Sequence, residues 1–250
     1  MNIQIVLYQQ RLIGKILPGD FKAINRMHPD FVCLPEYFFV REGMEHVQQA
    51  QFADENIETI QALSIDLDTV LIGGSIVEKI EDGYYNVSYI FDRGQKIGRY
   101  CKIHLFKGEL HSNLTPGLSF SAFDIRGVRV GLMICADVLY PDSFIEMKKL
   151  NCDVVFVPTT SPKKTETLAD KLERDETIFV KGAQTARAYI AKCCAVGKIF
   201  NSPIQARSLI ASPEAILQRA GLDEEEKPLI ISQTLSIDWI RHYKTSTEKT

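Results

Sequence analysis

The chain has 250 residues, 45% of them hydrophobic, which is enough to bury a full core. Its 29 basic and 32 acidic residues are mixed along the sequence and leave a formal charge of -3, so the electrostatic footprint of a nucleic-acid binder is excluded. No apolar run approaches the length of a membrane span, the opening MNIQIVLYQQ is a short strand pattern, and six cysteines without a Cys-x-x-Cys pair point to a reduced, cytoplasmic protein with no zinc site.

Residues 3–8 read as a strand, 21–27 as a short amphipathic segment, and 31–34 as a second apolar strand that runs into Pro35-Glu36-Tyr37. A carboxylate directly after a buried strand is either a solvated loop residue or a placed acid. Residues 50–65 have helical spacing, with Phe52, Ile57, Ile60 and Leu63 on one face. The strand at 70–77 carries Gly73-Gly74 in its middle, which predicts a bulge or a close backbone approach. Residues 84–91 and 95–101 form a hairpin across Asp92-Arg93-Gly94 that delivers Lys102, and a long ordered loop follows as far as Thr115-Pro116-Gly117. A further hairpin, 120–125 with 128–134, ends at Cys135-Ala136-Asp137. Pro141 suits the first turn of a helix over 141–151, so this region reads as strand, elbow and helix with a sulfur at the elbow.

Residues 153–157 form a short strand that ends in Pro158-Thr159-Thr160-Ser161. A helical pattern covers 168–188, and strands are expected at 189–196, 206–211, 215–219 and 229–235. The acidic turn 223–227 reads as solvated. One domain is expected over 1–243, followed by a flexible polar tail at 244–250. Hairpins and crossovers together predict an α/β protein with a mixed sheet; a four-layer α-β-β-α sandwich of two mixed β-sheets accounts for both, and a three-layer fold fits the same pattern.

Three groups suited to chemistry stand after strands: Glu36, Lys102 and Cys135. Taken singly, each has a plainer reading as a loop acid, a surface lysine or an inert core thiol. If they converge, Cys135 supplies a nucleophile, Glu36 its base, and Lys102 with the Ala136 N–H a seat for developing negative charge. His104 is a rival base for Cys135, but its place between Ile103 and Leu105 fits a histidine bonded to backbone.

The segments LPE at 34–36, YCKIHLF at 100–106 and ICADVLYPD at 134–142, in this order and at these separations, resemble the three signature blocks of the nitrilase superfamily of carbon-nitrogen hydrolases. The resemblance implies the α-β-β-α sandwich, a catalytic triad of Glu36, Lys102 and Cys135, and a second glutamate, Glu109 in FKGEL, that orients Lys102 or the substrate. It also implies a homodimer or larger homo-oligomer. The activity it implies is cysteine-dependent hydrolysis of a C–N bond in a small linear amide or N-carbamoyl compound, through a thioester and without a cofactor or metal. Tyr37, Ala136, Asp137, Tyr140 and Thr160 are the candidate substrate contacts. Ala136-Asp137 stands where amide-cutting members often carry a large residue and nitrile-cutting members tryptophan and glutamate, which disfavours nitrile cleavage. Nitrile hydrolysis, acyl transfer with the same triad, and a silent binding protein are the alternative readings.

Overall fold

The computed structural model describes residues 1–247. In chain order its elements are β1 (Asn2–Arg11), α1 (Pro18–Arg26), β2 (Phe31–Cys33), α2 (His46–Gln49), α3 (Ala53–Asp66), β3 (Val70–Ile72), β4 (Ile76–Ile80), β5 (Gly83–Asp92), β6 (Gln95–Cys101), α4 (Lys107–His111), β7 (Ala122–Ile125) and β8 (Val128–Leu132). A 3-10 turn, Cys135–Leu139, leads to α5 (Pro141–Lys149) and β9 (Val154–Thr159). Then come α6 (Leu168–Arg174), a π-helical turn Asp175–Val180, α7 (Lys181–Ala186), β10 (Tyr189–Ile199), β11 (Ser202–Ile204), β12 (Leu209–Ala211), β13 (Ile216–Arg219), β14 (Leu229–Ser236) and α8 (Ile237–Thr247).

The backbone of the architecture is the strand path β4-β5-β3-β2-β1-β10-β9-β8-β7. The two sheets expected from the sequence are thus joined. Parallel pairing of Gln10 and Arg11 with Ala195 and Val196 carries the ladder from one half into the other. β1 is covered on both faces, so its side chains enter two cores. Ile3, Ile5 and Leu7 enter a central core with Phe31 and Ile90 from the first half and Val130, Phe156 and Cys193 from the second. Val6 packs the opposite way, with Val32, Leu71, Ile24 of α1 and Ile60 of α3. In the second half Val155, Ile190 and Met133 pack against Phe144 and Met147 of α5 and Ala183 and Ala186 of α7. The α5 helix starts on Pro141 and Asp142 and ends on Lys148 and Lys149, a distribution that complements its dipole.

Strand direction positions the site. β1, β2 and β3 are mutually parallel, β8, β9 and β10 likewise, and the β1–β10 join keeps both sets aligned. β6 runs antiparallel to β5, which runs antiparallel to β3, so its C-terminal end reaches the same edge. Segments leaving β2, β6, β8 and β9 therefore emerge together. They carry Glu36, Lys102, Cys135 and Thr160.

The expected single strand at 70–77 is broken at Gly73-Gly74 into β3 and β4. Gly74 has φ +65°, and a Cβ there would stand 2.1 Å from the Pro35 carbonyl oxygen. This close approach holds the turn that presents Glu36. The polar tail expected from residue 244 is corrected: α8 continues to Thr247, and Lys244 is buried, donating to the Asn151 carbonyl at 3.0 Å and to Asp153 Oδ1 at 2.7 Å. A helix C-terminal carbonyl and a buried carboxylate supply the partners that a polar run normally finds in water. Residues 248–250 of that tail lie outside the described residues. The acidic turn is corrected in the same way, since Glu225 is buried and paired with Lys171 at 2.6 Å.

Gly74→Ala is expected to lower stability by about 1–3 kcal/mol through overpacking and backbone strain. A urea midpoint shifted down at unchanged m is the readout; an unchanged midpoint would show that the Pro35 turn is free to move.

Candidate active site

Glu36 and Lys102 are each 1% exposed. The Lys102 ammonium donates to Glu36 Oε1 at 2.7 Å and to Glu109 Oε2 at 2.8 Å, so one buried cation is held between two carboxylates. Backbone bonds fix the lysine: its N–H donates to the Asn86 carbonyl at 2.9 Å, and its carbonyl accepts from Gly117 at 2.8 Å. Glu109 lies in the first turn of α4, where Oε2 also accepts the Phe106 N–H at 2.7 Å, a helix-capping bond that aims the carboxylate inward. Its Oε1 accepts the Tyr37 hydroxyl at 2.6 Å and Asn86 Nδ2 at 2.7 Å. Asn86 Nδ2 also reaches Glu36 Oε1 at 3.0 Å and so bridges the two acids.

The three groups differ in what their surroundings do to them. Burial pushes the Glu36 carboxyl up, with Lys102 pulling against it and Glu109 adding to the rise. Burial also opposes charge on Glu109, but Lys102, Tyr37 and the Phe106 N–H hold its carboxyl below the ordinary glutamate value. For Lys102 burial would favour the neutral amine, yet Glu36 and Glu109 outweigh it and hold the ammonium well up. Two adjacent carboxylates are thereby split into a weak acid and a fixed counter-ion.

Cys135 sits where β8 gives way to the 3-10 turn, with φ +44°, a left-handed conformation that a side-chain-bearing residue adopts only under constraint. The constraint is Asp137. Its Oδ2 accepts the Ile134 N–H and the Tyr100 hydroxyl, both at 2.8 Å, and its Oδ1 accepts the His104 N–H at 2.9 Å. The Cys135 thiol donates to the Thr160 carbonyl at 3.1 Å. The N–H of the same threonine donates to Glu36 Oε2 at 2.9 Å, and its hydroxyl bonds that oxygen as well. Thr160 is thus a direct link between the sulfur and the acid. Burial pushes the Cys135 thiol well up and Glu36 adds to the rise, with Lys102 and Thr160 only partly offsetting them. The resting sulfur is a neutral thiol that needs a base to become a nucleophile.

A cavity of about 530 Å³ opens on these groups. Glu36, Tyr37, Lys102, Glu109, Cys135, Ala136 and Thr160 all line it. Two expected substrate contacts do not. Asp137 is fully buried with every acceptor turned to the elbow and the His104 segment. Tyr140 is 45% exposed and stacks on the His104 ring at 3.8 Å instead of facing the cavity. His104 bonds Asp137 Oδ1 through Nδ1 at 3.0 Å, stacks on Tyr140 and does not line the cavity.

Sequence reasoning missed Asn86, whose signal was a lone amide inside the apolar run YNVSYIF. It also missed His46 and Phe200, which lie far from the motif blocks yet pack ring against ring at 3.9 Å, tilted by 36°, and line the cavity with Tyr37. Lys192, Arg174 and Arg207 line it too.

An α/β fold that gathers a thiol and a buried carboxylate-lysine cluster at one strand edge is found in a known class. The chain matches the carbon-nitrogen hydrolase family over residues 21–244, and it belongs to that family, within the nitrilase superfamily. It is 28% identical to a hydrolase of Schizosaccharomyces pombe over 220 residues, 80% of this chain and 64% of that protein, so it spans less than two thirds of that relative's length. It is 29% identical to the omega-amidase NIT2 of Homo sapiens over 210 residues, 77% of this chain and 73% of that one. The fold matches a carbon-nitrogen hydrolase structure from Helicobacter pylori with a TM-score of 0.84 at 18% identity, covering 98% of this chain and 93% of that one. Among the described residues no helix is long and apolar enough to cross a membrane.

Lys102→Met is expected to destabilise the fold by about 3–5 kcal/mol, because two buried carboxylates lose their common counter-ion. Chemical denaturation measures it, and a loss below about 1 kcal/mol would mean that water already screens the cluster.

Proposed function

We propose that the protein hydrolyses a small linear amide or N-carbamoyl compound at its C–N bond, using Cys135 as nucleophile, Glu36 as general base and acid, and Lys102 as the electrostatic partner. The observation that carries this reading is Thr160, which bonds Glu36 through N–H and hydroxyl and Cys135 through its carbonyl. Nucleophile and base are held on either side of one residue. The amidase name of the human relative, 29% identical, supports the amide as the bond class. The three apolar cores support reading the joined sheet as an α-β-β-α sandwich.

In the proposed sequence the thiol turns about Cβ–Sγ from the Thr160 carbonyl to Glu36, which takes its proton as sulfur attacks the carbonyl carbon. The resulting oxyanion meets the Lys102 ammonium and the Ala136 N–H. Loss of one such donor costs about 10²–10³ in rate. Glu36 then passes its proton to nitrogen, the C–N bond breaks, and ammonia or amine leaves a thioester on Cys135. Water attacks that thioester while Glu36 accepts its proton. The tetrahedral adduct collapses, the C–S bond breaks, and the sulfur regains a proton from Glu36 as the acid departs. Glu109 stays ionised throughout, holding Lys102 charged and in place.

Cys135→Ala is expected to abolish ammonia release from primary amides by at least about 10⁴-fold. In wild type, intact mass measured during slow turnover is expected to show an acyl adduct on Cys135; ammonia release that survives the substitution removes the mechanism. The pH dependence carries a sign. Glu36 acts as base only when deprotonated, so kcat/KM falls as pH drops through its pKa, and because burial raises that pKa the acid limb lies above 4.5. A limb at or below the ordinary glutamate value would take Glu36 out of the role.

The same reading includes association into a homodimer, supported by the exposed apolar side chains Leu139, Ile145, Leu168 and Leu172. Sedimentation at micromolar concentration is expected to give twice the 28.3 kDa chain mass, and a single-chain mass would refute it.

A further inference from the structure

The carboxylate read as the base has its acceptors filled. An ionised carboxylate offers about four lone-pair sites on its two oxygens. At Glu36 four donors occupy them. Oε1 takes the Lys102 ammonium at 2.7 Å and Asn86 Nδ2 at 3.0 Å, and Oε2 takes the Thr160 N–H at 2.9 Å and the Thr160 hydroxyl. A proton reaches such a group only if one donor withdraws or reverses.

Three of the four are pinned from elsewhere. The Lys102 ammonium is tied to Glu109 Oε2 at 2.8 Å, and Asn86 Nδ2 spends its other hydrogen on Glu109 Oε1 at 2.7 Å. The Thr160 N–H belongs to backbone held on both sides, with Thr159 in register with Cys194 and the Ser161 carbonyl accepting the Gln205 N–H at 3.0 Å. The hydroxyl is different. It carries one hydrogen and two lone pairs, and reversing it about Cβ–Oγ moves no other heavy atom. The two carboxylate oxygens are also unlike. Oε1 faces the cation, where negative charge is best held, whereas Oε2 faces neutral donors on the side of Thr160, whose carbonyl holds the Cys135 thiol at 3.1 Å.

We infer that the Thr160 hydroxyl is the proton gate of the site: it donates to Glu36 Oε2 while the carboxylate is ionised, and turns to accept from Oε2 once that oxygen has taken the Cys135 proton. This rests on the reading of Cys135 as nucleophile and Glu36 as base. In the step the S–H bond breaks and an Oε2–H bond forms. The Thr160 O–H bond stays intact and changes only its direction, and it turns back when Glu36 gives the proton to the leaving nitrogen. The hydroxyl expected from the sequence to grip substrate instead serves the base.

The titratable groups that face Glu36 are Lys102 after β6, Glu109 in α4, Cys135 after β8 and the neighbouring Tyr37. Substitution of Thr160 leaves all of them in place. The hydroxyl bond holds the Glu36 carboxyl down against its burial, so losing it moves the onset of base function to higher pH. A contact that only donated would leave Glu36 a stronger base once ionised, and proton transfer would hold its rate or quicken. A gate leaves the newly protonated oxygen without an acceptor, and transfer slows.

Alkylation of Cys135 by iodoacetamide, followed against pH at the Cys135 peptide by mass, needs the thiol proton removed but no amide hydrolysed. Thr160→Val keeps the size, the N–H and the carbonyl and removes the hydroxyl. Its acid limb is expected about one pH unit above wild type, roughly the effect of one hydrogen bond to a carboxylate. Its plateau rate is expected to fall by about threefold to tenfold, the loss of one hydrogen bond. Thr160→Ser, which returns the hydroxyl without the methyl, is expected to restore both. A limb that stays in place in the valine protein, a plateau that holds or rises, or a serine protein that behaves like valine overturns the gate. If the valine protein does not fold, serine decides alone, because a displaced limb or lowered plateau there has the same force. Ammonia release from primary amides by the same proteins keeps the two conclusions apart. Gated alkylation without hydrolysis of any amide sinks the amidase reading and upholds the gate, hydrolysis with one pH profile in all three proteins does the reverse, and neither removes both.

Discussion

One lysine buried between two carboxylates is the constraint on which the rest of the site depends. Charges removed from water are tolerated only when each has partners, and here Lys102, Glu36 and Glu109 satisfy one another with Asn86, Tyr37, Phe106 and Thr160 completing the shell. Several features that look unrelated follow from this. Gly74 lets Pro35 come close enough to set the Glu36 turn, the Gly117 N–H donates to the Lys102 carbonyl, and α4 begins where Glu109 can cap it. The cluster carries one more negative charge than positive. Its burial therefore raises Glu36, the acid that Thr160 links to the Cys135 thiol.

The elbow obeys the same economy. A left-handed Cys135 is strained by itself, and the strain is held by a second buried carboxylate, Asp137, which spends all its acceptors on the Ile134 and His104 backbone, the Tyr100 hydroxyl and the His104 ring. The stack of His104 on Tyr140 lies behind that acid and not before the cavity. A group placed one residue from the active-site floor in sequence thus supports the floor and does not touch what sits on it. Neighbourhood along the chain does not tell these apart, because a turn sends successive side chains in different directions.

Much of the fold could be read from local pattern. The apolar run through β1, the hairpin that delivers Lys102, Pro141 at the head of α5 and the glycine pair of 73–74 each leave a mark within a few residues. What was hidden depends on partners distant in sequence. Lys244 reads as a tail residue until Asp153 and the Asn151 carbonyl are brought to it, and Glu225 reads as solvated until Lys171 crosses over it. Lys192 stands inside a strand pattern, where a single lysine is ordinarily an outward-facing residue. Nothing nearby announces that its face is covered by the π-helical turn bearing Phe179. The join of the two halves through Gln10 and Arg11 is equally silent, being a matter of where two strand ends happen to meet.

The two charged regions of the cavity raise the question of why they do not collapse onto each other. Three carboxylates answer it: Glu166 pairs with Arg174 and Arg207, Glu225 with Lys171, and Asp175 with Arg219. The anchoring is incomplete, since Arg174 Nη2 and Arg207 Nη1 find no hydrogen-bond partner. A single carboxylate, Glu166, must serve two guanidinium groups, and each fork has more N–H groups than one oxygen can accept. Lys192 lies over the Phe179 ring, which attracts a cation but accepts none of its protons in a directed bond, and its charge acts on the Asp175 carboxylate. The polar ends are thus satisfied to different degrees. The acid end is closed on itself through Lys102, Asn86, Tyr37 and Thr160, whereas the basic end keeps Arg174 Nη2 and Arg207 Nη1 without hydrogen-bond partners.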